Sequence, residues 1–569
     1  MGIPSYYKRL LDRQPTLVTK AHPGSIDWLW MDFNCLIYHC LRSPDLRPFP
    51  GTACDADALA WENELLHQVV RYTERVVREV GPKAGVYIAV DGVVPMAKMR
   101  QQRLRRFKSS WLSEMGLAEG QVAGVARWDS NALTPGTAFM GRLRRTFEEL
   151  IGRRPAGAVP WRFSSSDEPG EGEHKIMAQW RLAEGYVAEG YVAEGYRAEG
   201  YVAEGYRAEA CRAEASECMN YAVYGLDADL VVLSLLTQDT LRRAGQPLRV
   251  WLFREEVEAG VMQRDEKGET VFQWFDVNVL QEQVRGELRG SMLGIQDYCC
   301  AMSFLGNDFL PVSLSLKMRE DGHEQLMTAL RRLRSPLVNE EGVLMQASLQ
   351  ELLAGFADTE EGRVWKTIDR KRLMASRVTG EAGLGEVNWA LVQGAEDCLL
   401  DLGTGKPRPS LLPNWRSLYY TKLLGGVEPA IAVQKYLEGM QWVWEYYKGG
   451  KDICYNWVYP WALPPLWGDL VAALLSGDRP PAPSVALRST DIHPVEQLCL
   501  VLPPASGGLV PGGLGLGSRI HERFTAAAPW LFPVSFGFGS AGKRWFWECE
   551  PEIPVPTLLE VKAVLAKLT

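Results

Sequence analysis

Three apolar runs end in aspartate, and no other feature of the chain constrains its fold as much. WLWMDFN carries Asp32, YIAVDG carries Asp91, and YGLDADL carries Asp227 and Asp229. The runs, at residues 25–31, 85–90 and 221–226, are short and bulky, as buried strands require. Residues 248–253 (LRVWLF) read the same way. Between them lie stretches of helical spacing, at 61–80 and from about Pro95. Strands that alternate with helices pair in parallel and carry the helices on their faces. The chain is therefore expected to form an α/β fold with a mostly parallel central sheet flanked by helices. Its second half, richer in Trp and Tyr and less regular, reads as mainly helical with long loops.

Open parallel sheets bind ligands beyond the carboxyl ends of their strands, so three strand exits would gather four carboxylates around one crevice. Glu171 and Glu173 lie in PGEGEHKIM, where Pro169-Gly170 turns the chain before a helix, and Asp308 lies in FLGNDFLP. A single Asp after a strand is more often a helix cap or turn residue. Recurrence at successive strand ends, with little basic charge nearby, argues for a site. Clustered carboxylates raise one another's pKa and destabilise a fold unless cations sit among them. Oxygen-only donors favour Mg²⁺ or Mn²⁺ over zinc. Two such ions can activate a water and stabilise the leaving oxygen of a phosphodiester.

Six basic residues and no acid lie between Lys98 and Lys108. Lys98, Gln102, Arg105 and Arg106 share one helical face, whereas Arg100, Arg103 and Lys108 point elsewhere. Such a face suits a terminal phosphate: Arg offers bidentate hydrogen bonds, Lys and Gln single donors. A solvated basic face is the plainer reading, but the run begins seven residues after Asp91. It must start beside the acidic crevice.

With 569 residues, 46% hydrophobic and 23% charged, the chain has ample length for several folded domains. No run of about 18 apolar residues suggests a membrane span. MGIPSYYK lacks the apolar core of a secretory signal, and Tyr6 breaks the myristoylation pattern. Eleven cysteines without a CxxC pair read as reduced structural thiols, and no zinc-knuckle spacing occurs. With no basic import run evident, the cytoplasm is the default location. A net charge of −8 argues against a protein that coats nucleic acid. The strand-exit acids, and the excess Glu of one repetitive segment, account for much of that sign. That segment, residues 183–216, repeats AEGYV or AEGYR, and its five-residue period puts the tyrosines on no common face of a helix or strand. It reads as a tolerated surface insertion, with a partner-binding arm as the alternative. The Gly- and Pro-rich stretch 503–518 reads as a surface loop.

The long stretches MDFNCLIYH, VDGVVPMAKMRQQRLRRF, DSNALTPGTAFM, PGEGEHKIM, YGLDADLVVLSL and FLGNDFLP resemble, in order, the Xrn-type 5′→3′ exoribonucleases. These belong to the superfamily of flap-endonuclease-like 5′ nucleases with a PIN-like core. YLEGMQWVWEYYKGG, YNWVYPWALPP and PVEQLCLVLPPAS resemble the family's second conserved region. The resemblance implies a catalytic region at 1–315, a connecting region at 316–412, and a second conserved region at 413–569 that completes the substrate channel. It assigns Asp32, Asp91, Glu171, Glu173, Asp227, Asp229 and Asp308 to the metal site, with two Mg²⁺ or Mn²⁺ ions. Lys98, Gln102, Arg105 and Arg106 match the 5′-phosphate pocket. The implied activity is processive hydrolysis of single-stranded RNA from a 5′-monophosphate end to nucleoside 5′-monophosphates, in RNA decay or processing, by a monomer. Protein partners are not indicated.

The chain also departs from the family. Tyr38 stands where a base-stacking His is common. Trp457 is the candidate for a second stacking aromatic, with Tyr455 competing. The family's PYHYAP motif reads PWALPP, so its His is Ala462. The long C-terminal extensions of cytoplasmic members are not expected. Two other readings share the acidic site: a structure-specific DNA flap endonuclease, and an inactive RNA-binding scaffold. The joined motifs disfavour the first, and the intact set of acids disfavours the second.

Overall fold

The apolar runs that end in aspartate become neighbours in one sheet. The computed structural model describes residues 3, 5–51, 54–117, 126–183, 218–258, 261–378, 386–403, 409–450, 453–477, 487–511 and 519–568. Its main sheet has seven strands: β1 (Val18–Thr19), β2 (Trp28–Asp32), β3 (Gly85–Ala89), β4 (Trp161–Ser164), β5 (Met219–Tyr224), β6 (Leu248–Glu255) and β7 (Phe272–Asp276). Their order is β1-β7-β6-β5-β2-β3-β4. The five strands from β6 to β4 are parallel, while β7 pairs antiparallel with β6 and β1. β2 is central, with β3 on one side and β5 on the other. The chain changes direction across the sheet there, which opens a crevice at the carboxyl ends.

The helices that matter for the site are α1 (Tyr6–Arg13), α2 (Asn34–Leu41), α3 (Asp55–Val80), α4 (Met96–Glu114), α5 (Ala138–Gly152), α6 (Gly172–Ala183), α7 (Asp229–Arg243), α8 (Ile295–Ala301), α9 (Pro429–Lys448), α10 (Trp467–Leu475), α11 (Pro494–Val501) and α12 (Leu558–Ala566). Alternation along the strands sends side chains to two cores. Leu29, Met31, Val86, Ile88, Ala222 and Tyr224 pack with α2, α3 and α5. Trp30, Tyr87, Ala89, Tyr221 and Val223 pack on the opposite face with α6, α7 and α8. That second core continues into Tyr436, Trp442, Tyr446 and Trp467, so α9 and α10 share it.

A third core joins Met96, Met99, Leu104 and Phe107 of α4 to α11 and α12. Within it, Arg103 is completely buried and donates to Leu500 O at 2.6 Å, to Pro554 O at 3.0 Å and to Leu531 O. Arg100 pairs with Glu550 at 2.9 Å, and Lys108 donates to Cys549 O at 2.9 Å. Arg100, Arg103 and Lys108 thus fasten α4 to residues between Leu500 and Pro554.

The repetitive segment lies outside the described residues, apart from Ala183, the last residue of α6. Of the stretch 503–518, residues 512–518 lie outside the described residues, and the part before them departs from a plain surface loop. Residues Pro504–Leu509 form a 3-10 turn in which Ser506 and Gly507 are buried. Asn131 donates to Ser506 Oγ at 2.9 Å, and a Cβ on Gly507 would stand 2.8 Å from the His521 ring. Among the described residues no helix is long and apolar enough to cross a membrane.

Candidate active site

Asp32 is the last residue of β2, Asp91 lies two residues beyond β3, and Asp227 and Asp229 follow β5, with Asp229 opening α7. Glu171 and Glu173 flank the start of α6. One carboxylate oxygen each from Asp32, Asp91 and Glu173 lies within 4.8 Å of the others. Close backbone approach makes this possible. A Cβ on Gly172 would stand 2.8 Å from Asp32 Oδ1, and one on Gly92 only 1.7 Å from Glu168 O. Gly172 N instead donates to Asp91 Oδ1 at 2.7 Å, while Asn34 Nδ2 donates to Asp91 Oδ2 at 2.7 Å. Lys175, fully buried, donates to Val90 O and Ser165 O at 2.8 Å each, tying the end of β3 to the loop before α6.

Glu171 and Asp308 are gathered differently. The Lys98 ammonium lies 2.5 Å from Glu171 Oε2 and 2.8 Å from Asp308 Oδ2. Tyr446 donates its hydroxyl to Glu171 Oε1 at 2.8 Å and stacks on His174 with ring centroids 3.8 Å apart. Burial holds His174 well below the ordinary histidine range, so it is neutral. The Tyr447 hydroxyl is buried without a hydrogen-bond partner. Its pKa is pushed up by burial first and then by Asp229 and Asp308.

The electrostatics of the acids fit a cation site. Asp32 is raised well above the carboxylate range by burial, then by Asp91, Asp227 and Asp229. Glu173 is raised by burial, Glu171 and Asp32. Asp229 is pushed up to about 7 by burial and Asp227. Asp308 goes the other way: burial would raise it, but Lys98 draws it down to about 2. Asp229 is 4% exposed, and its Oδ1 accepts no hydrogen bond. A buried carboxylate oxygen without a donor, surrounded by like charge, fits a hard divalent cation.

The four residues expected on the phosphate face divide. Lys98 is not held out toward a phosphate, because two buried carboxylates engage it. Gln102 is 6% exposed and accepts from Gln497 Nε2 at 3.2 Å, which leaves its own amide nitrogen to donate. Arg106 is buried, with Nη1 unpartnered, and burial lowers it only to about 10, so it stays cationic. Its electrostatic neighbours include Tyr38, Asp129 and Asp91. Arg105 is exposed and makes no side-chain hydrogen bond or ion pair among the described residues. Tyr38 is half-buried on α2. Trp457 corrects the stacking expectation. It is 2% exposed and stacks on Trp442 with centroids 5.0 Å apart, so it has no free face for a base. Tyr455 of the same segment is half-buried and lies among the electrostatic neighbours of Tyr446.

Sequence reasoning missed Asn34, Tyr446, Tyr447 and Lys175. Asn34 and Lys175 stand inside quoted motifs, two residues from Asp32 and Glu173. The tyrosines stand in WEYYKGG, 275 residues from Glu171 in the case of Tyr446, and only the fold brings them in.

Two family models match the chain: "XRN 5'-3' exonuclease N-terminus" over residues 1–188 and "Xrn1 helical domain" over residues 415–556. The 5'-3' exoribonuclease 1 of Homo sapiens is 26% identical over 97% of this chain and 33% of its own length. The 5'-3' exoribonuclease 2 of Eremothecium gossypii is 29% identical over 63% of this chain and 41% of its own. That of Saccharomyces cerevisiae is 29% identical over 64% of this chain and 39% of its own. The chain therefore spans between a third and about two fifths of the length of these curated relatives. Matched in order across both conserved regions, with its acids gathered at the switch point of a parallel sheet, the chain belongs to the XRN 5′-3′ exonuclease family.

Proposed function

We propose that the chain hydrolyses single-stranded RNA processively from a 5′-monophosphate end, releasing nucleoside 5′-monophosphates, and acts as a monomer. The RNA substrate and the polarity come from the names of its relatives. The observation that carries the reading is the cluster of buried carboxylates with Asp229 Oδ1 unsatisfied, next to the cationic flank of α4. Mg²⁺ or Mn²⁺, two ions, is the cofactor proposed for the seven acids; bound there, such ions supply an activated water and charge for the leaving oxygen.

The chain's own residues do the rest. Asn34 and Gly172 N orient Asp91, while Lys98 and Tyr446 orient Glu171. Gln102, Arg105 and Arg106 receive the terminal phosphate, whose charge-assisted bonds to Arg are the strong ones. Tyr38 and Tyr455 stack the first bases. Residues 1–315 form the catalytic region and 413–569 close the channel, linked by 316–412.

The test is digestion with Mg²⁺ of one RNA carrying a 5′-monophosphate, a 5′-triphosphate or a 5′-hydroxyl, beside a flapped DNA duplex. Rapid loss of the monophosphorylated RNA alone is expected. Equal loss of all three RNAs would refute the phosphate pocket, and cleavage of only the flapped DNA would refute the RNA reading.

A further inference from the structure

Beside the phosphate face of α4 lies a cleft of about 270 Å³ whose wall includes Gln101, Leu104 and Arg105 and whose lining reaches Asp308. It thus adjoins the acids without including Asp32, Asp91 or Glu173. Its size is near the small end of ligand pockets, roughly 300–1,000 Å³, which suits one nucleotide rather than a strand.

Its charge is uneven. Seven Lys and Arg line it against four Asp and Glu. Each carboxylate already has a cation, as Glu550 has Arg100 at 2.9 Å and Glu548 has Arg319 at 2.8 Å. Lys543 is left, and so is Arg105 whenever it does not hold the RNA's terminal phosphate; neither side chain makes a hydrogen bond or ion pair among the described residues. Two unpartnered cations in one cleft suit a phosphate dianion.

The segment that presents Lys543 is built rigidly. The buried pair Lys371–Glu396, 2.9 Å apart, holds it through Lys371 Nζ donating to Ser540 O at 2.9 Å. Lys317 Nζ donates to Gly542 O at 2.8 Å. Gly542 has φ +70°, and a Cβ there would meet Leu314 at 2.5 Å. On the rim, Trp547 is 62% exposed with the Arg319 guanidinium 5.2 Å from its ring. An exposed indole beside cations is a stacking platform for a base. Gln101 Oε1 is buried in the cleft wall without a partner.

The geometry points to a product site: the cleft takes the nucleoside 5′-monophosphate released by hydrolysis, its phosphate met by Arg105 and Lys543 and its base by Trp547. The product identity rests on the activity proposed above.

The experiment titrates metal-free protein with 5′-AMP, and separately with adenosine, following binding calorimetrically for the wild type, Lys543→Glu and Trp547→Ala. Initial rates on 5′-monophosphorylated RNA are measured with and without added AMP. The expected result is AMP binding that adenosine does not reproduce. Lys543→Glu should weaken it at least tenfold and Trp547→Ala several-fold. Initial rates should stay within twofold of wild type, with inhibition by AMP relieved in step. AMP affinity unchanged in both variants would overturn the site. A parallel fall in initial rate would overturn it too, by making the cleft a path for the RNA strand. A wild type that binds AMP but leaves the RNA intact would refute the activity, and with it the assignment of AMP as product.

Discussion

The Lys98 ammonium stands 2.8 Å from Asp308 Oδ2, so the first cation of α4 belongs to the acids rather than to a phosphate. It also holds Glu171 at 2.5 Å. Removing one partner of a buried pair leaves an uncompensated charge, at a cost of about 3–5 kcal/mol. Lys98→Met is therefore expected to lower the stability of the metal-free protein by roughly 3 kcal/mol. Activity should fall by at least about a hundredfold, because Glu171 and Asp308 lose their placement. Denaturant titration and kcat check the two effects. A normal kcat would show that Lys98 places neither acid.

Tyr446→Phe isolates one hydrogen bond. The ring stacks on His174 and Trp442, at 3.8 and 5.0 Å, and the substitution keeps both contacts. Only the hydroxyl bonded to Glu171 is lost. Hydrogen bonds to charged groups contribute about 1.5–3 kcal/mol, so kcat should drop by about ten- to a hundredfold. KM for RNA should change little. Unchanged kcat would reduce Tyr446 to a packing residue.

Divalent ions should stabilise the protein, and the effect should depend on pH in a stated direction. Burial and Asp227 raise Asp229 from the carboxylate range to about 7. The folded state then binds more protons than the unfolded chain between about pH 4 and 7, so this group's contribution to metal-free stability falls as pH rises through that window. Added Mg²⁺ or Mn²⁺ should raise the melting temperature more at pH 8 than at pH 5. Asp229→Asn should shrink the shift at pH 8. A shift equal at both pH values and in both proteins would argue that the ions bind elsewhere.

His323 predicts a second pH effect, away from the site. Arg13 Nη1 donates to His323 Nδ1 at 2.8 Å, so the ring's Nε2–H faces the Tyr298 hydroxyl at 2.9 Å. Tyr298 in turn bonds the Tyr6 hydroxyl at 2.7 Å. Burial first, then Arg13, lowers His323 to about 4. The folded pKa lies below the unfolded value, so this contribution is complete above about pH 6.5 and is lost as pH falls toward 4, amounting to roughly 3 kcal/mol. His323→Gln can accept from Arg13 and donate to Tyr298 without titrating. It should flatten the stability profile between pH 6.5 and 4, measured by urea midpoints. An unchanged slope would mean that His323 does not titrate in that window.

Much of this was legible in the sequence, for physical reasons that differ by element. β2, β3, β5 and β6 are buried on both faces, so they read as dense apolar runs within a few residues of their true bounds. β4 is a four-residue edge strand with Arg162 exposed and Phe163 half-buried, β7 runs antiparallel beyond β6, and β1 has two residues, so none carries that signal. The acids could be placed because parallel topology brings strand exits together. Lys98 could not: helical spacing puts it on a face with Arg106, and nothing local says that its ammonium reaches Glu171 and Asp308. The motif around Trp457 suggests a stacking role, but its burial follows from α9, where Gly439 lets the indole approach. A Cβ there would stand 2.7 Å from Trp457. The family resemblance supplied what spacing alone does not, namely RNA, the 5′ end and the order of both conserved regions.

The proposed function requires the clustered acids to hold divalent ions that support hydrolysis of RNA from its 5′ end. The most direct measurement follows a 5′-³²P-monophosphorylated single-stranded RNA under single turnover, with and without Mg²⁺, for wild type, Asp229→Asn and Glu173→Gln. Wild type with Mg²⁺ is expected to release labelled nucleoside 5′-monophosphate as its first product. Chelation should abolish the release, and so should either variant, since each keeps the side chain's shape but lacks one ligand charge. Label released first as longer oligonucleotides, or wild-type rates in both variants, would contradict the proposed function.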